Sequence, residues 1–177
     1  MAVAAVVLAA GEASRFGSPK QRILLPRVLE RLRETSVDEI VVVEGAHPLR
    51  EGVLQGRPRV VRCPDWADGP GASLRCGVAA LGDDVEAAVV VLADGPRLAA
   101  AAVGRVVESW HADGGDVVAA SYGGTRGHPL LVARDAWASI PDEGLRLVEP
   151  RLVPCDDLGD PGDVDTPADL AALDDAG

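Results

Sequence analysis

Four short runs of apolar residues, each rich in valine or alanine, recur in the first half of the chain, at residues 3–9, 40–43, 60–63 and 87–93. The apolar residues follow one another with little polar alternation, so a strand formed from any of these runs would need cover on both faces. Strands of a parallel sheet have this property, because helices pack against both of its faces. The runs therefore predict the central strands of a parallel sheet.

The segments between these runs have the spacing of amphipathic helices. Residues 23–32 place apolar side chains on one face, and this helix tolerates Pro26 only in its first turn. A second helix is predicted over residues 73–81, with Ser73 as its N-cap, and a third over residues 99–110. Strand alternating with helix predicts an α/β fold, and a length of 177 residues fits one domain over residues 1–177.

The pattern changes after about residue 115. Residues 117–122 and 129–132 are strand-like and are separated by a glycine-rich segment, which predicts a hairpin or a crossover at the sheet edge. A further strand is predicted at residues 152–155, and a last helix at residues 167–174 begins with proline at its first turn. The sheet is therefore expected to be mostly, but not entirely, parallel.

Charge and cysteine content exclude several classes of protein. A net charge of −11 argues against a nucleic-acid-binding protein, because such proteins neutralise phosphates with a basic face. The sequence shows neither a signal peptide nor an apolar stretch long enough to span a membrane, so we expect a cytoplasmic protein. Cys63, Cys76 and Cys155 are widely spaced and odd in number, and we expect reduced, buried side chains rather than a disulfide or a metal site.

The loop after the first apolar run contains the single lysine of the chain. Lys20 closes residues 10–20, a segment that also contains Gly11, Arg15 and Gly17. Sixteen of the seventeen basic residues are arginine, so the retained lysine indicates a site that needs a compact ammonium group. Glycines let backbone amides approach an anion, and Arg15 with Lys20 can neutralise a triphosphate. The glycine spacing differs from that of a Walker loop and of GxGxxG.

Other candidate residues follow later strands, where ligands of open parallel sheets bind. Asp94 comes directly after the fourth run and is suited to holding Mg²⁺, and Asp163 with Asp165 offers a second pair of carboxylates. Each of these aspartates can instead form a turn or cap a helix. Ser73, in a glycine-rich segment that includes Gly71, can donate to a base or a phosphate.

Histidine and tryptophan contribute less to the predicted site. His128, between Gly127 and Pro129, is a candidate for an exposed substrate contact, with a structural role equally open. Trp66, Trp110 and Trp137 are expected to pack in the fold rather than to stack on a ligand.

Taken in order, these segments resemble the MobA-like nucleotidyltransferases, and among them the molybdenum-cofactor cytidylyltransferase branch. The matching segments span nearly the whole chain, at residues 8–21, 66–74, 92–96, 124–129 and 163–170. The resemblance implies a three-layer Rossmann-like sandwich of the nucleotide-diphospho-sugar transferase type. It also implies transfer of a nucleotidyl group from an NTP to a phosphorylated acceptor, with release of pyrophosphate.

The resemblance also assigns roles to residues of this chain. Arg15 and Lys20 would stabilise the departing pyrophosphate, and Asp94 with Asp165 or Asp163 would hold Mg²⁺. The remaining residues expected to bind nucleotide or substrate are Leu8, Ala9, Ala10, Gly11, Gly71, Ser73, Gly127 and His128. Ala10, in a Leu-Ala-Ala-Gly segment, favours CTP over GTP, with molybdopterin as the acceptor and a molybdoenzyme as a partner.

Two departures from the family pattern leave alternatives open. Only Arg22 separates Gln21 from Ile23, where relatives have several more residues, and Gly95 replaces a larger polar residue. One alternative is therefore a non-catalytic nucleotide- or cofactor-binding member of the family that serves a partner enzyme. Apart from these departures, a guanylyltransferase or uridylyltransferase acting on a different phosphorylated metabolite also stays open, because it would share the same site.

Overall fold

The computed structural model describes residues 1–11, 20–49, 54, 56, 58–162 and 166–175, with the backbone alone described at residues 20–22. Within these ranges the chain forms seven strands: β1 Ala2–Ala9, β2 Glu39–Glu44, β3 Arg59–Arg62, β4 Val85–Leu92, β5 Val117–Tyr122, β6 Thr125–Ala133 and β7 Arg151–Pro154. The α-helices over the same ranges are α1 Lys20–Arg33, α2 Pro70–Ala79, α3 Ala100–Asp113 and α4 Pro167–Asp175. No helix in the described part is long and apolar enough to cross a membrane.

The described strands form one sheet in the order β3-β2-β1-β4-β6-β5-β7. β1 pairs in parallel with β2 and β4, and β2 pairs in parallel with β3, as the valine-rich runs predict. β6 runs antiparallel to both β4 and β5, and β7 is parallel to β5. The glycine-rich segment after residue 122 is therefore a hairpin, which carries the chain back into the sheet beside β4.

Both faces of the central strands are buried, which confirms the three-layer arrangement. On β1, Val3, Ala5 and Val7 face the layer that contains α1 and α3, whereas Ala4 and Val6 face the layer that contains α2. Every one of these side chains is at most 4% exposed. The continuous apolar pattern of the runs is the direct result of this double cover.

The first two helices begin earlier than predicted. α1 starts at Lys20 rather than at residue 23, so Pro26 lies inside the helix and not in its first turn. Its ring nitrogen has no proton to donate to the preceding turn, and full burial of Leu25, Val28 and Leu29 stabilises the helix despite this loss.

α2 also begins earlier than predicted. It starts at Pro70 after an N-cap at Gly69, because proline suits the first helical position. Ser73 therefore lies inside the helix and is not its cap.

The prediction of three reduced cysteines is wrong for two of them. Cys63 and Cys76 form a disulfide, with their Cα atoms 5.8 Å apart. Cys63 directly follows β3, and Cys76 lies in α2, which packs beside the end of that strand. A separation of 13 residues hid this proximity, because it depends on where α2 lies in the fold. Cys155 is a free, fully buried thiol, as expected.

Candidate active site

The carboxyl ends of β1 and β4 meet the start of β6 at one edge of the sheet. Leu8 pairs with Leu92, and the N–H of Ala93 donates to the carbonyl oxygen of Leu8 at 3.1 Å, so Ala10 and Asp94 leave the sheet side by side. Val90 pairs with Leu130 in the antiparallel ladder, which places His128 opposite the end of β4. The fold thus brings together three segments that are far apart in sequence.

A cavity of about 340 Å³ opens at this edge between β1, β4 and the start of α2, and we call it the α2 cavity. Its walls are formed by Leu8, Ala10, Gly11, Trp66, Ala67, Gly69, Pro70, Ser73, Leu92 and Asp94. Five of these ten residues, Leu8, Ala10, Gly11, Ser73 and Asp94, are among the residues predicted to bind nucleotide or metal.

Ser73 is the most deeply buried polar residue of the α2 cavity. It is 3% exposed, and its hydroxyl has no hydrogen-bond partner among the described residues. A buried hydroxyl without a partner is costly, because it has lost its bonds to water. The hydroxyl can donate to or accept from a ligand, and it lies in the first turn of a ten-residue helix whose N-terminal end favours negative charge. This wall of the cavity is therefore suited to a polar or anionic ligand.

Asp94 brings a carboxylate to the same cavity. It lies half-buried in the turn after β4, where the N–H of Gly95 donates to the carbonyl oxygen of Leu92 at 3.2 Å. One carboxylate together with phosphate oxygens is a typical ligand set for Mg²⁺. Among the described residues, no group of three or more His, Cys, Asp or Glu side chains is arranged so that it could hold a metal ion. Asp163 and Asp165 lie outside the described residues.

A second cavity, of about 250 Å³, lies on the other side of Leu92, and we call it the β6 cavity. Gly127 and His128 line it, so the structure places these two predicted residues next to the α2 cavity rather than inside it. His128 is half-buried rather than exposed as predicted. Burial and the charge of Arg126 lower the pKa of His128 to about 4, against the opposing effect of Asp94 and Asp160. The imidazole is therefore neutral at pH 7.

Arg126 is a candidate that the sequence analysis missed. It lines both the β6 cavity and a narrower slot of about 150 Å³, which also contains Arg146 and shares Leu8 and Pro70 with the α2 cavity. Its guanidinium donates to the carbonyl oxygen of Val148 at 2.7 Å, and burial lowers its pKa below the usual arginine value. The only sequence signal was its position in the glycine-rich hairpin before His128.

The other predicted residues have different surroundings. Ala9 is 3% exposed and packs in the core on the α1 side of the sheet, so its side chain does not line the α2 cavity. Gly71 donates its N–H to the carbonyl oxygen of Asp142 at 3.0 Å, so this amide is already used within the protein. Lys20 is the first residue of α1, and its side chain lies outside the described part of the chain, as does the whole of Arg15.

Trp66 packs as predicted and also forms a wall of the α2 cavity. It lies so close to Gly45 that a Cβ atom on that glycine would be 2.6 Å from the tryptophan Cβ. Gly45 lies beyond the end of β2, so the close approach positions the indole at the same edge of the sheet as Asp94. A flat aromatic wall of this kind can contact a planar ligand.

Comparison with known proteins identifies related sequences. The family described as the MobA-like NTP transferase domain matches residues 5–146. The bifunctional protein GlmU of Kineococcus radiotolerans is 33% identical over 127 residues, which are 65% of this chain and 26% of GlmU. The chain therefore spans about a quarter of the length of that curated relative.

Several solved structures share the fold over nearly their full length. Rv0371c from Mycobacterium tuberculosis has a TM-score of 0.80 and 25% identity, with 98% of both chains covered. The same protein has been solved in complex with manganese, and that chain is 23% identical to this one. A nucleotidyl transferase from Methanothermobacter, Mth528, has a TM-score of 0.73 and 25% identity, with 99% of this chain and 97% of that one covered.

Proposed function

Since the chain belongs to the MobA-like NTP transferase domain family, a family of nucleotidyltransferases, we propose that it transfers a nucleotidyl group from an NTP to a phosphorylated small molecule. Pyrophosphate is the second product. The observation that supports this most strongly is the convergence of Gly11, Ser73 and Asp94 on the α2 cavity from three separate elements.

In this proposal the nucleotide occupies the α2 cavity. The triphosphate lies beside Gly11 and the start of α1, and the charges of Lys20 and Arg15 stabilise the leaving pyrophosphate. Ser73 forms a hydrogen bond to the nucleotide, which supplies the partner that its hydroxyl lacks among the described residues. The acceptor phosphate is already a nucleophile, so the protein aligns it with the α-phosphate and needs no covalent intermediate.

We further propose that the bound cation is Mg²⁺, held by Asp94 and by Asp165 or Asp163. The half-buried carboxylate of Asp94 in the cavity wall fits this role, and the manganese complex of Rv0371c supports a divalent cation in this fold. The cation would neutralise charge on the phosphate oxygens. Asp94 would hold the cation next to the end of β1.

The proposed substrates are CTP and molybdopterin, in the service of a molybdoenzyme. Ala10 lines the α2 cavity and supports CTP through the Leu-Ala-Ala-Gly segment. The slot and the β6 cavity form the acceptor side, because Arg126 and Arg146 there can bind the acceptor phosphate. Neutral His128 can form a hydrogen bond to the acceptor without adding charge.

Calorimetric titration with CTP, GTP, UTP and ATP in the presence of Mg²⁺ tests the nucleotide site. We expect CTP to bind most tightly, and Asp94→Asn to weaken that binding at least about tenfold, which corresponds to about 1.4 kcal/mol. Asp83→Asn is the matched control, because Asp83 is exposed and precedes β4, at the opposite end of the strand from Asp94. Absence of binding by every nucleotide at millimolar concentration would contradict the proposal.

Pyrophosphate release then separates the proposed enzyme from its alternatives. Release with CTP and molybdopterin supports the cytidylyltransferase, whereas release with GTP and another phosphorylated acceptor assigns a guanylyltransferase. α1 begins at Lys20 itself, so no loop separates the lysine from the helix. This favours one second candidate, a protein that binds nucleotide without catalysis, because a longer loop is expected to position the lysine in relatives. Nucleotide binding without pyrophosphate release would support that candidate.

A further inference from the structure

The disulfide encloses half of the wall of the α2 cavity. Residues 64–75 lie between Cys63 and Cys76, and this segment contains five of the ten lining residues. They are Trp66, Ala67, Gly69, Pro70 and Ser73. The covalent bond thus closes a small ring of the chain at the cavity.

Both ends of this ring are held in place by other interactions. Cys63 is fully buried, and its N–H donates to the carbonyl oxygen of Glu44 at 2.8 Å. On α2, Leu74 and Val78 are buried against the sheet on either side of Cys76. The two sulfurs therefore stay near each other when the bond opens, so pairing can be reversible.

The first half of the ring has few other attachments. Among the described residues, the hydrogen bonds of residues 64–69 stay within residues 65–73, such as the bond from the N–H of Asp68 to the carbonyl oxygen of Asp65 at 3.0 Å. Asp65, Ala67 and Asp68 are exposed. Apart from the packing of Trp66 on Gly45 and the core, and the close approach of Gly69 to the carbonyl oxygen of Asp142, the order of this segment depends on its two ends.

We propose that Cys63 and Cys76 form a reversible redox site that controls the order of residues 64–69. When the disulfide is formed, this wall of the α2 cavity is restricted and the cavity binds its ligand well. When the disulfide is reduced, residues 64–69 gain conformational freedom, and ligand binding must first restrict it. The effect on nucleotide binding rests on the proposed function, whereas the effect on the segment does not.

The reductant in this proposal is a dithiol. Its thiolate attacks the sulfur of Cys76, which is partly exposed, whereas Cys63 is fully buried. The Cys63–Cys76 bond breaks, Cys63 leaves as a thiolate and takes up a proton, and a mixed disulfide forms at Cys76. The second thiol of the reductant releases Cys76, so that two electrons and two protons pass to the protein and the dithiol becomes a disulfide. Cys155 takes no part, because burial raises the pKa of its thiol.

Hydrogen exchange tests the redox site. It is measured on the whole chain in the oxidised form and after reduction with dithiothreitol. Thiol titration in denaturant should count one thiol in the oxidised form and three in the reduced form. We expect reduction to speed amide exchange in residues 64–69 at least about fivefold, with β4 unchanged, and to weaken CTP binding about three- to tenfold. Cys76→Ser should show the amide exchange and the CTP affinity of the reduced form, with or without oxidant. Cys155→Ala should show the same change between the oxidised and reduced forms as the wild-type protein.

The outcomes separate this proposal from the proposed function. Equal exchange of residues 64–69 in the two forms, or three free thiols after oxidation, would overturn the redox site. A nucleotide that binds both forms with equal affinity would also overturn it. If no nucleotide binds either form, the proposed function fails, and the exchange comparison alone decides the redox site.

Discussion

Gly71, in the first turn of α2, donates its backbone N–H to the carbonyl oxygen of Asp142 at 3.0 Å. The chain passes so close here that a Cβ atom on Gly71 would be 1.7 Å from the carbonyl oxygen of Pro141. Gly71→Ala should therefore lower the free energy of unfolding by on the order of 2–4 kcal/mol, because backbone must move to admit the methyl group. Urea denaturation measures the loss.

Gly104 provides the matched control for this substitution. It lies inside α3, and a Cβ atom there would meet nothing within 4 Å. Gly104→Ala should raise the free energy of unfolding by about 0.5–1 kcal/mol through helix propensity. Equal effects of the two substitutions would contradict the close approach at Pro141.

Ser73→Ala should affect stability and binding in opposite ways. Removing a buried hydroxyl that has no partner among the described residues should leave the free energy of unfolding unchanged or raise it by up to about 1 kcal/mol. The same substitution should weaken nucleotide binding several-fold, since the ligand loses a hydrogen bond. Denaturation and calorimetry on one protein preparation test both parts. A destabilised variant with unchanged nucleotide affinity would show that the hydroxyl serves the fold.

Substitutions of Lys20 test the role of the single lysine. Lys20→Ala should weaken triphosphate binding about tenfold or more while leaving the folded protein intact, because a compact positive charge is lost from the start of α1. Lys20→Arg should restore only part of the affinity if the site requires an ammonium group. Arg31→Ala, later in α1, is the control, since Arg31 pairs with Glu34 on the exposed surface. Equal affinity of Lys20→Ala and the wild-type protein would remove Lys20 from the proposed site.

His128 should make stability depend on pH between about 6.5 and 4. The pKa of His128 is about 4 in the folded protein and about 6.5 in an unfolded chain. Above pH 6.5 the imidazole is neutral in both states, whereas between these values only the unfolded chain binds the proton. The contribution of His128 therefore lowers the free energy of unfolding as the pH falls, by at most about 3.4 kcal/mol, and this contribution levels off below pH 4.

Comparison of variants isolates this contribution from that of the other titrating groups. His128→Asn should lose less stability than the wild-type protein between pH 7 and pH 4.5, as measured by urea denaturation at each pH. His111→Asn changes an exposed residue of α3 and should retain the wild-type dependence. Identical pH dependence in His128→Asn and the wild-type protein would show that the imidazole titrates freely.

The central strands could be predicted because each of them is a continuous run of apolar residues in the sequence. Val6 and Val89 lie in continuous apolar runs, since each strand is covered on both faces, and this property is visible without knowledge of any partner. The position of Asp94 could be predicted for the same reason, because it follows directly from the end of such a run. Leu8, Ala10, Gly11 and Ser73 line the same cavity as Asp94, and their role in binding nucleotide stays a prediction.

The features that the sequence analysis missed depend on contacts between distant segments. Arg126 reaches the site because β6 pairs antiparallel with β4, and nothing local to residues 123–128 specifies that pairing. Cys63 and Cys76 meet only after α2 has packed beside β3. Gly71 was interpreted as part of a ligand loop, whereas its reason for being glycine is the chain at Pro141, seventy residues later.

The position of β4 between a parallel and an antiparallel neighbour divides the site into two parts that can diverge separately. Residues up to Asp94 supply every wall of the α2 cavity, whereas the β6 cavity takes Arg126, Gly127, His128 and Asp160 from later segments. Evolution can therefore alter the hairpin at residues 123–128 while the residues that line the α2 cavity stay in place. In protein engineering, exchange of the hairpin alone between relatives should change the preference for the acceptor and leave that for the nucleotide, whereas residues 140–142 must stay because they hold the start of α2.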